Sequence, residues 1–426
     1  MKHVLLRKAA LPVLVLLAAI TTALAQDDPE KDPGNQSTGQ ETQSTDPKPA
    51  DPKPAPQKPE KKPNFKLVLK VNEYRIRGGQ LENFVIAKSF ELDNNLIERS
   101  EKYQKISSSL HPTLDKIYKQ LNAREVKDAL FYNHSENWWG EQQTGWTVNQ
   151  EATEKKLLDA IMTDAPSSDL VIDKQEPKRS VQKFADQGIL FHFGGGESSF
   201  KGSPSFRVTN IINGASKVNE QYIEAGKEFD FNKTVGDISK ANGFVPGYVI
   251  LGDKLGKEDG GGICQVSTTI FRAAYNSGLP ITERHYHSYW VHYYDPVGFE
   301  ATVYSPQKNL KFKNDTGTNL FIQAKWDEQK QTLRFDLFGR KPDRKVEISD
   351  SHVSNILPPA GPQYVGDPSV RLGHYRQIDH AQKGITVVID RKVTYDSGEV
   401  KKDAIKSIYK PWGDIYAVNP ADPRAD

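Results

Sequence analysis

Cys264 is the only cysteine in the chain, and it stands directly behind Gly260-Gly261-Gly262-Ile263. The run that follows, CQVSTTIFRAAYNS, places Val266, Ile270, Ala273 and Ala274 at the i, i+4, i+7, i+8 spacing of one helix face. Gly278 and Pro280 then supply a stop, since glycine suits the left-handed position after a helix and proline cannot continue one. The spacing predicts a helix with Cys264 at or just inside its N-terminus. There the unsatisfied N–H groups and the positive end of the helix dipole favour a thiolate, the nucleophilic form of cysteine. Side-chain-free glycines let a substrate main chain approach, and the amides around Gly261 and Gly262 could serve as an oxyanion hole. A free cysteine also packs well as a small hydrophobe, so a buried, inert Cys264 is the competing reading.

A nucleophilic thiol needs a base. The segment ERHYHSYWVHYY offers His285, His287 and His292, and on a strand the first two share one face while the third lies opposite. A strand histidine beside a cysteine-bearing helix is the arrangement of papain-like and transglutaminase-like thiol enzymes, in which a carboxylate or amide orients the imidazole. Asp295 and Glu300 are the nearest such groups. The same histidines, with His292 or Asp295 as third ligand, make a competing metal reading, but no H-E-x-x-H or second acid cluster accompanies them. No metal or other cofactor is assigned. A glycan-cleaving reading would rest on acids such as Glu258 or Glu283, which would need a suitably placed partner carboxylate.

The elements that must position these groups occupy the second half of the chain. Residues 1–25 carry a basic start (Lys2, Arg7, Lys8), an apolar run and Ala23-Leu24-Ala25, which is the form of a cleavable Sec-type signal peptide and implies export. The apolar run is shorter than the roughly 20 residues of a spanning helix. Residues 26–64, with Asp-Pro-Lys-Pro-Ala repeated, read as a disordered, semi-rigid tether. The net charge of +2, with both signs abundant, gives no field that would draw in nucleic acid, and nothing resembles a nucleic-acid-reading module. Order is expected from Phe65. Residues 65–185 read as a small α+β domain: a strand at FKLVLKVNEYRI, helix-prone sequence from Leu96 to Ala129, and an amphipathic helix carrying Leu157, Leu158 and Ile161. Residues 186–345 carry the cysteine helix. NIINGASKVNEQYI reads as a further helix, and EFDFNK, YWVHYYD, EATVYS, LKFKND, LFIQAKW and LRFDLFG as strands. Residues 346–426 form a β-rich extension, with a hairpin predicted across Asp396-Ser397-Gly398. The expected fold class is α+β, with a cysteine-bearing helix packed on an antiparallel sheet.

The stretch from Gly188 to about Gly339 resembles a VanW domain through RVTNI (Arg207, Asn210), EFDFNKTVG, GGGICQVSTTIF, ERHYHS and LKFKND. The preceding α+β segment is similar to the peptidoglycan-binding-like domain that often precedes VanW, and the closing hairpin resembles the tail found after many VanW domains. The resemblance implies a place in the bacterial envelope, an association with glycopeptide resistance, and L,D-transpeptidation of peptidoglycan. On that reading Cys264 attacks the L,D-bond of a donor stem peptide, expels D-Ala, and passes the acyl group to an amine of a neighbouring stem as a 3-3 cross-link. His287, then His285, is the expected base. Glu300 stands where the family often has Asp and is the expected orienting group. Arg207, Asn210, Gln265, Ser267 and Thr268, with the backbone at Gly261 and Gly262, are the expected substrate contacts. The expected partners are stem peptides and the wall surface. The same chemistry with water as acceptor would give a carboxypeptidase or endopeptidase, and a non-catalytic wall-binding scaffold is the alternative from outside enzymology.

Overall fold

The computed structural model describes residues 63–121, 124–251 and 254–425. The expected signal peptide and nearly all of the expected tether lie outside the described residues. The chain is mixed α/β, with mostly antiparallel sheets and few helices. Among the described residues no helix is long and apolar enough to cross a membrane.

The first half opens on two long strands, Phe65–Arg77 and Gln80–Leu92, paired antiparallel along their whole length. Alternation puts Phe65, Leu67, Leu69 and Val71 on one buried face. The helices His111–Leu121 and Gln150–Met162 cover that face with Leu114, Ile117, Leu157 and Ile161. The region expected to be helix-prone from Leu96 to Ala129 holds two helices, Asn94–Tyr103 and His111–Leu121, but its end belongs to a strand, Lys127–His134. Ala129 and Phe131 are buried between less buried neighbours, which is a period of two rather than of 3.6.

The site is built on a four-stranded antiparallel sheet, ordered Phe191–Ser199, Thr332–Gly339, Leu320–Asp327 and Tyr222–Ile223. The cysteine helix, Ile263–Asn276, packs Val266, Ile270, Phe271 and Ala274 into one core with Leu333, Phe335 and Leu337 of this sheet. Its contact with the first strand is very close. A Cβ on Gly196 would lie 2.3 Å from the Ala273 nitrogen, and one on Gly194 would lie 2.1 Å from Ser277 Oγ. Gly194 and Gly196 thus let this strand lie against helix backbone.

The helix expected from Asn210 starts earlier, at Ser205, and ends at Val218. The expected strand EFDFNK covers only Glu228–Asp230. Asp230 then accepts from the Lys233 amide and caps a short helix, Phe231–Val235. YWVHYYD is not a strand. It forms a 3-10 turn at His292–Tyr294, and EATVYS contributes only two isolated bridges, Thr302 to His285 and Tyr304 to Lys308. Side-chain contacts displace ladder pairing here: Trp290 donates to Asp295, Tyr289 packs on Trp412, and His287 stacks on Tyr294.

Beyond residue 345 the strand pair Gly384–Tyr395 and Val400–Tyr409 forms the expected hairpin, flanked by Arg344–Ile348 and His352–Leu357. The segments share cores. Phe131 and Phe184 from the first half pack with Phe321 and Phe338 of the site's sheet, and Phe131 stacks on Phe338 at 4.1 Å between centroids.

Candidate active site

Cys264 is the second residue of its helix, after Gly262 at φ 112°. No side chain caps this helix start; the Ile263 and Gln265 amides donate to the Gly260 and Gly262 carbonyls at 2.9 Å each, which leaves the Cys264 amide as the free donor among these first three described residues. Gly260 and Gly262 both have positive φ, which suits glycine. A Cβ on Gly262 would also sit 2.7 Å from Arg207 Cγ, and one on Gly260 would sit 2.3 Å from Ile238 Cγ2. The glycines thus have packing reasons beside the access that the sequence suggested for them.

The half-buried Cys264 Sγ lies 3.4 Å from Thr302 Oγ1 and 3.6 Å from the Val303 carbonyl oxygen, and the His287 imidazole is near enough to act on its charge. His287 Nδ1 bonds Glu300 Oε2, while the His287 amide donates to Glu300 Oε1 at 3.2 Å. Tyr409, from the C-terminal hairpin, donates to the same Oε1 at 2.7 Å. The Tyr294 ring lies flat against the imidazole, 4.7 Å between centroids at 11°. The order Cys264–His287–Glu300 is a thiol, an imidazole and a carboxylate in series, with the imidazole hydrogen-bonded to the carboxylate.

Electrostatics follows from this order. Burial disfavours the Cys264 thiolate, but the hydrogen bond and charge of His287, with bonds to Thr302 and the Val303 backbone, outweigh it and hold the thiol below its ordinary range. Burial likewise opposes the imidazolium, yet the Glu300 charge and the bonds to Cys264 and Glu300 push His287 up to about 10. Glu300 is 1% exposed; against its burial, His287, the Tyr409 bond and the Arg284 charge keep it below the usual carboxylate range. Both shifts favour the thiolate–imidazolium form of the pair.

These groups line a cleft of about 1150 Å3. Gly260 and Gly262 edge it on one side, Tyr293 and Tyr304 on another, and Arg376, Asp379 and Trp412 bring the C-terminal extension to its wall. The other residues singled out in sequence fall elsewhere. His285 bonds Glu283 at 3.1 Å, and its expected common strand face with His287 does not form, because the intervening segment leaves the ladder. His292 packs at a tilt against Tyr293 at the cleft, and Asp295 accepts from Trp290. Gln265, Ser267 and Thr268 are fully buried and turn inward: Gln265 accepts from Arg207 and donates to Ser198, while Ser267 and Thr268 both donate to the Ala301 carbonyl. Asn210 clamps the glycine turn by donating to the carbonyls of Val245 and Gly261 and accepting from the Val245 amide. Gly261 is buried, its carbonyl held by that clamp. Arg207 is buried yet lines the cleft. Among the described residues no group of three or more His, Cys, Asp or Glu side chains could hold a metal ion.

Residues 206–337 match the family model described as VanW like protein. This stretch is a VanW-like domain. The whole triad lies inside it, while Tyr409 and Trp412 reach the VanW-like domain from outside the matched residues. The chain is 28% identical over 228 residues to the uncharacterized protein YoaR of Bacillus subtilis (strain 168), covering 52% of this chain and 71% of YoaR. It is also 28% identical over 197 residues to the vancomycin B-type resistance protein VanW of Enterococcus faecalis (strain ATCC 700802 / V583), covering 44% and 67% of the two chains. A solved G5 domain of IgA1 protease covers 18% of this chain and 90% of its own at 15% identity, but with a TM-score of 0.11 it carries no argument.

Sequence reasoning did not find Thr302, Tyr294 or Tyr409. Tyr294 lay in a segment read as strand. No local signal connects Tyr409 to the cysteine, because a hairpin in a separate sheet delivers it.

Proposed function

We propose that this protein is an exported cell-wall enzyme, a cysteine acyltransferase acting on peptidoglycan stem peptides as an L,D-transpeptidase. The observation that carries the reading is the series Cys264–His287–Glu300 at an uncapped helix start inside a cleft. The resemblance of the matched residues to VanW, a vancomycin resistance protein by name, supports the choice of substrate. The cysteine helix packed on an antiparallel sheet, with its imidazole and carboxylate supplied by neighbouring segments, has the logic of papain-like and transglutaminase-like sites without requiring their topology.

In this mechanism the Cys264 thiolate attacks the carbonyl of the L,D-bond, forming the C–S bond. The Cys264 amide, a free donor of the helix start, faces the developing oxyanion. The His287 imidazolium gives its proton to the departing D-Ala nitrogen as the C–N bond breaks, leaving a thioester and neutral imidazole. An acceptor amine then attacks the thioester, His287 takes the amine proton, and the thiolate leaves. Glu300 stabilises the imidazolium and fixes which ring nitrogen faces the sulfur. Incubation of the purified protein with disaccharide-tetrapeptides is expected to give 3-3 linked dimers by mass spectrometry, and Cys264→Ala is expected to give none. Full dimer formation by Cys264→Ala would overturn the assignment. Release of D-Ala without dimers would make water the acceptor.

A further inference from the structure

Three arginines are buried among the described residues, and two of them are accounted for internally. Arg391 is ion-paired with Asp403, and it also donates to two main-chain carbonyls. Arg272 donates to four main-chain carbonyls, those of Phe299, Glu197, Tyr294 and Asp295. Arg207 has neither arrangement. It is 7% exposed and its three hydrogen bonds go to neutral groups: Ser203 Oγ at 2.6 Å, Gln265 Oε1 at 2.8 Å and Tyr294 Oη at 3.4 Å. No carboxylate of the described residues pairs with it. A guanidinium carries five N–H donors, so these bonds leave part of its fork uncommitted, and a buried charge is ordinarily paired.

Its position is specific. Arg207 lines the same cleft as Cys264 and His287, and its stem is packed against Gly262, where a Cβ would come within 2.7 Å of Cγ. Tyr294, which takes its Nη2 bond, carries the ring that stacks on His287. Tyr293 lies under the guanidinium at 3.9 Å, fixing its plane. Gln265 and Ser203 hold the fork from the buried side. The charge is thus held in the cleft that the thiol lines by a fixed set of neighbours.

We infer that Arg207 is the receptor for a free α-carboxylate one residue beyond the carbonyl that Cys264 attacks, so that the site takes peptides at their C-terminus and not in mid-chain. This rests on the acyl-transfer reading above and adds to it. Consecutive α-carbons are about 3.8 Å apart, so the carboxylate of a leaving amino acid falls within one residue of the sulfur, in the cleft that Arg207 also lines. A planar guanidinium binds a carboxylate through paired charge-assisted bonds, whereas an internal peptide offers only a neutral amide there.

The test needs no turnover. N-bromoacetyl-D-alanine places an electrophile, an amide and a free carboxylate in the order a donor terminus would. N-bromoacetyl-D-alanine amide is its neutral twin. Alkylation of Cys264, followed by intact-mass spectrometry, is expected to be saturable with the acid and about tenfold or more faster than with the amide, the size of a lost charge-assisted contact. Arg207→Gln is expected to remove the preference and Arg207→Lys to keep part of it, with iodoacetamide rates reporting the intrinsic thiol in each variant. Acetate is expected to slow the acid reagent in the unaltered protein, which needs no variant to fold. Equal rates for acid and amide in the unaltered protein, with normal iodoacetamide reactivity, would overturn the carboxylate receptor and leave the acyltransferase standing. A Cys264 inert to all three reagents would remove both.

Discussion

Glu300→Gln is the sharpest perturbation of the pair, because it removes a charge while keeping the shape of the side chain. The carboxylate is the main opponent of the burial that would otherwise deprotonate His287. Without it, His287 falls from about 10 toward or below its ordinary value of about 6.5. A neutral imidazole no longer compensates the thiolate, so the burial already acting on Cys264 goes unopposed and its pKa rises. The sign is therefore a lowered imidazole and a raised thiol. The magnitude follows from ionisation. An unassisted thiol near pKa 8.5 is only about 0.3% thiolate at pH 6, whereas in the intact pair the lowered thiol and an imidazole raised to about 10 both favour the thiolate–imidazolium form. Iodoacetamide alkylation of the unaltered protein should be nearly flat from pH 6.5 to 8.5, in round terms. Glu300→Gln should restore a slope of about tenfold per pH unit there and react about a hundredfold more slowly at pH 6. Breaking a buried pair by removing one charge also costs about 3–5 kcal/mol, so a urea melt should show lost stability while the spectrum of the folded protein is kept. A flat pH profile in Glu300→Gln would refute the electrostatic account of the pair.

Two other substitutions test how distant elements hold the site. Tyr409→Phe removes a 2.7 Å bond to a buried carboxylate, so it should lower stability by about 1.5–3 kcal/mol. It should disturb alkylation less than Glu300→Gln does, since the charge remains; an unchanged melt would remove Tyr409 from the site. Gly196→Ala drives a Cβ to 2.3 Å from the Ala273 nitrogen, so the cysteine helix must shift at a cost of about 1–3 kcal/mol. Circular dichroism during a urea titration would read it, and wild-type stability would show that the strand and helix are not held that closely.

The parts of this site that were legible in sequence are those encoded by local pattern. The cysteine helix and its stop are written in Val266, Ile270, Ala273, Ala274 and Gly278, and the helix spans Ile263–Asn276. The 384–409 hairpin is legible for the same reason, since alternation and a turn at Asp396-Ser397-Gly398 specify each other. His287 and Glu300 were legible as candidates by chemical type, but the strand meant to aim them was not there. An aromatic-rich segment with β propensity, residues 289–294, was taken up by individual contacts to Trp412, Asp295 and His287. The inward turn of Gln265, Ser267 and Thr268 could not be read, because a helix of mixed polarity does not state which polar residues find buried partners. Tyr409 and Trp412 could not be read either, because nothing in a distant hairpin's own sequence records which cleft it borders.

Intact-mass spectrometry of the protein quenched in acid after brief exposure to disaccharide-tetrapeptide tests the central claim most directly. The account predicts a covalent adduct equal to the donor minus its terminal D-Ala, carried on Cys264, discharged by added acceptor amine and absent in Cys264→Ala. A protein that turns the substrate over with no thioester on Cys264, or that forms the adduct on another residue, would contradict it.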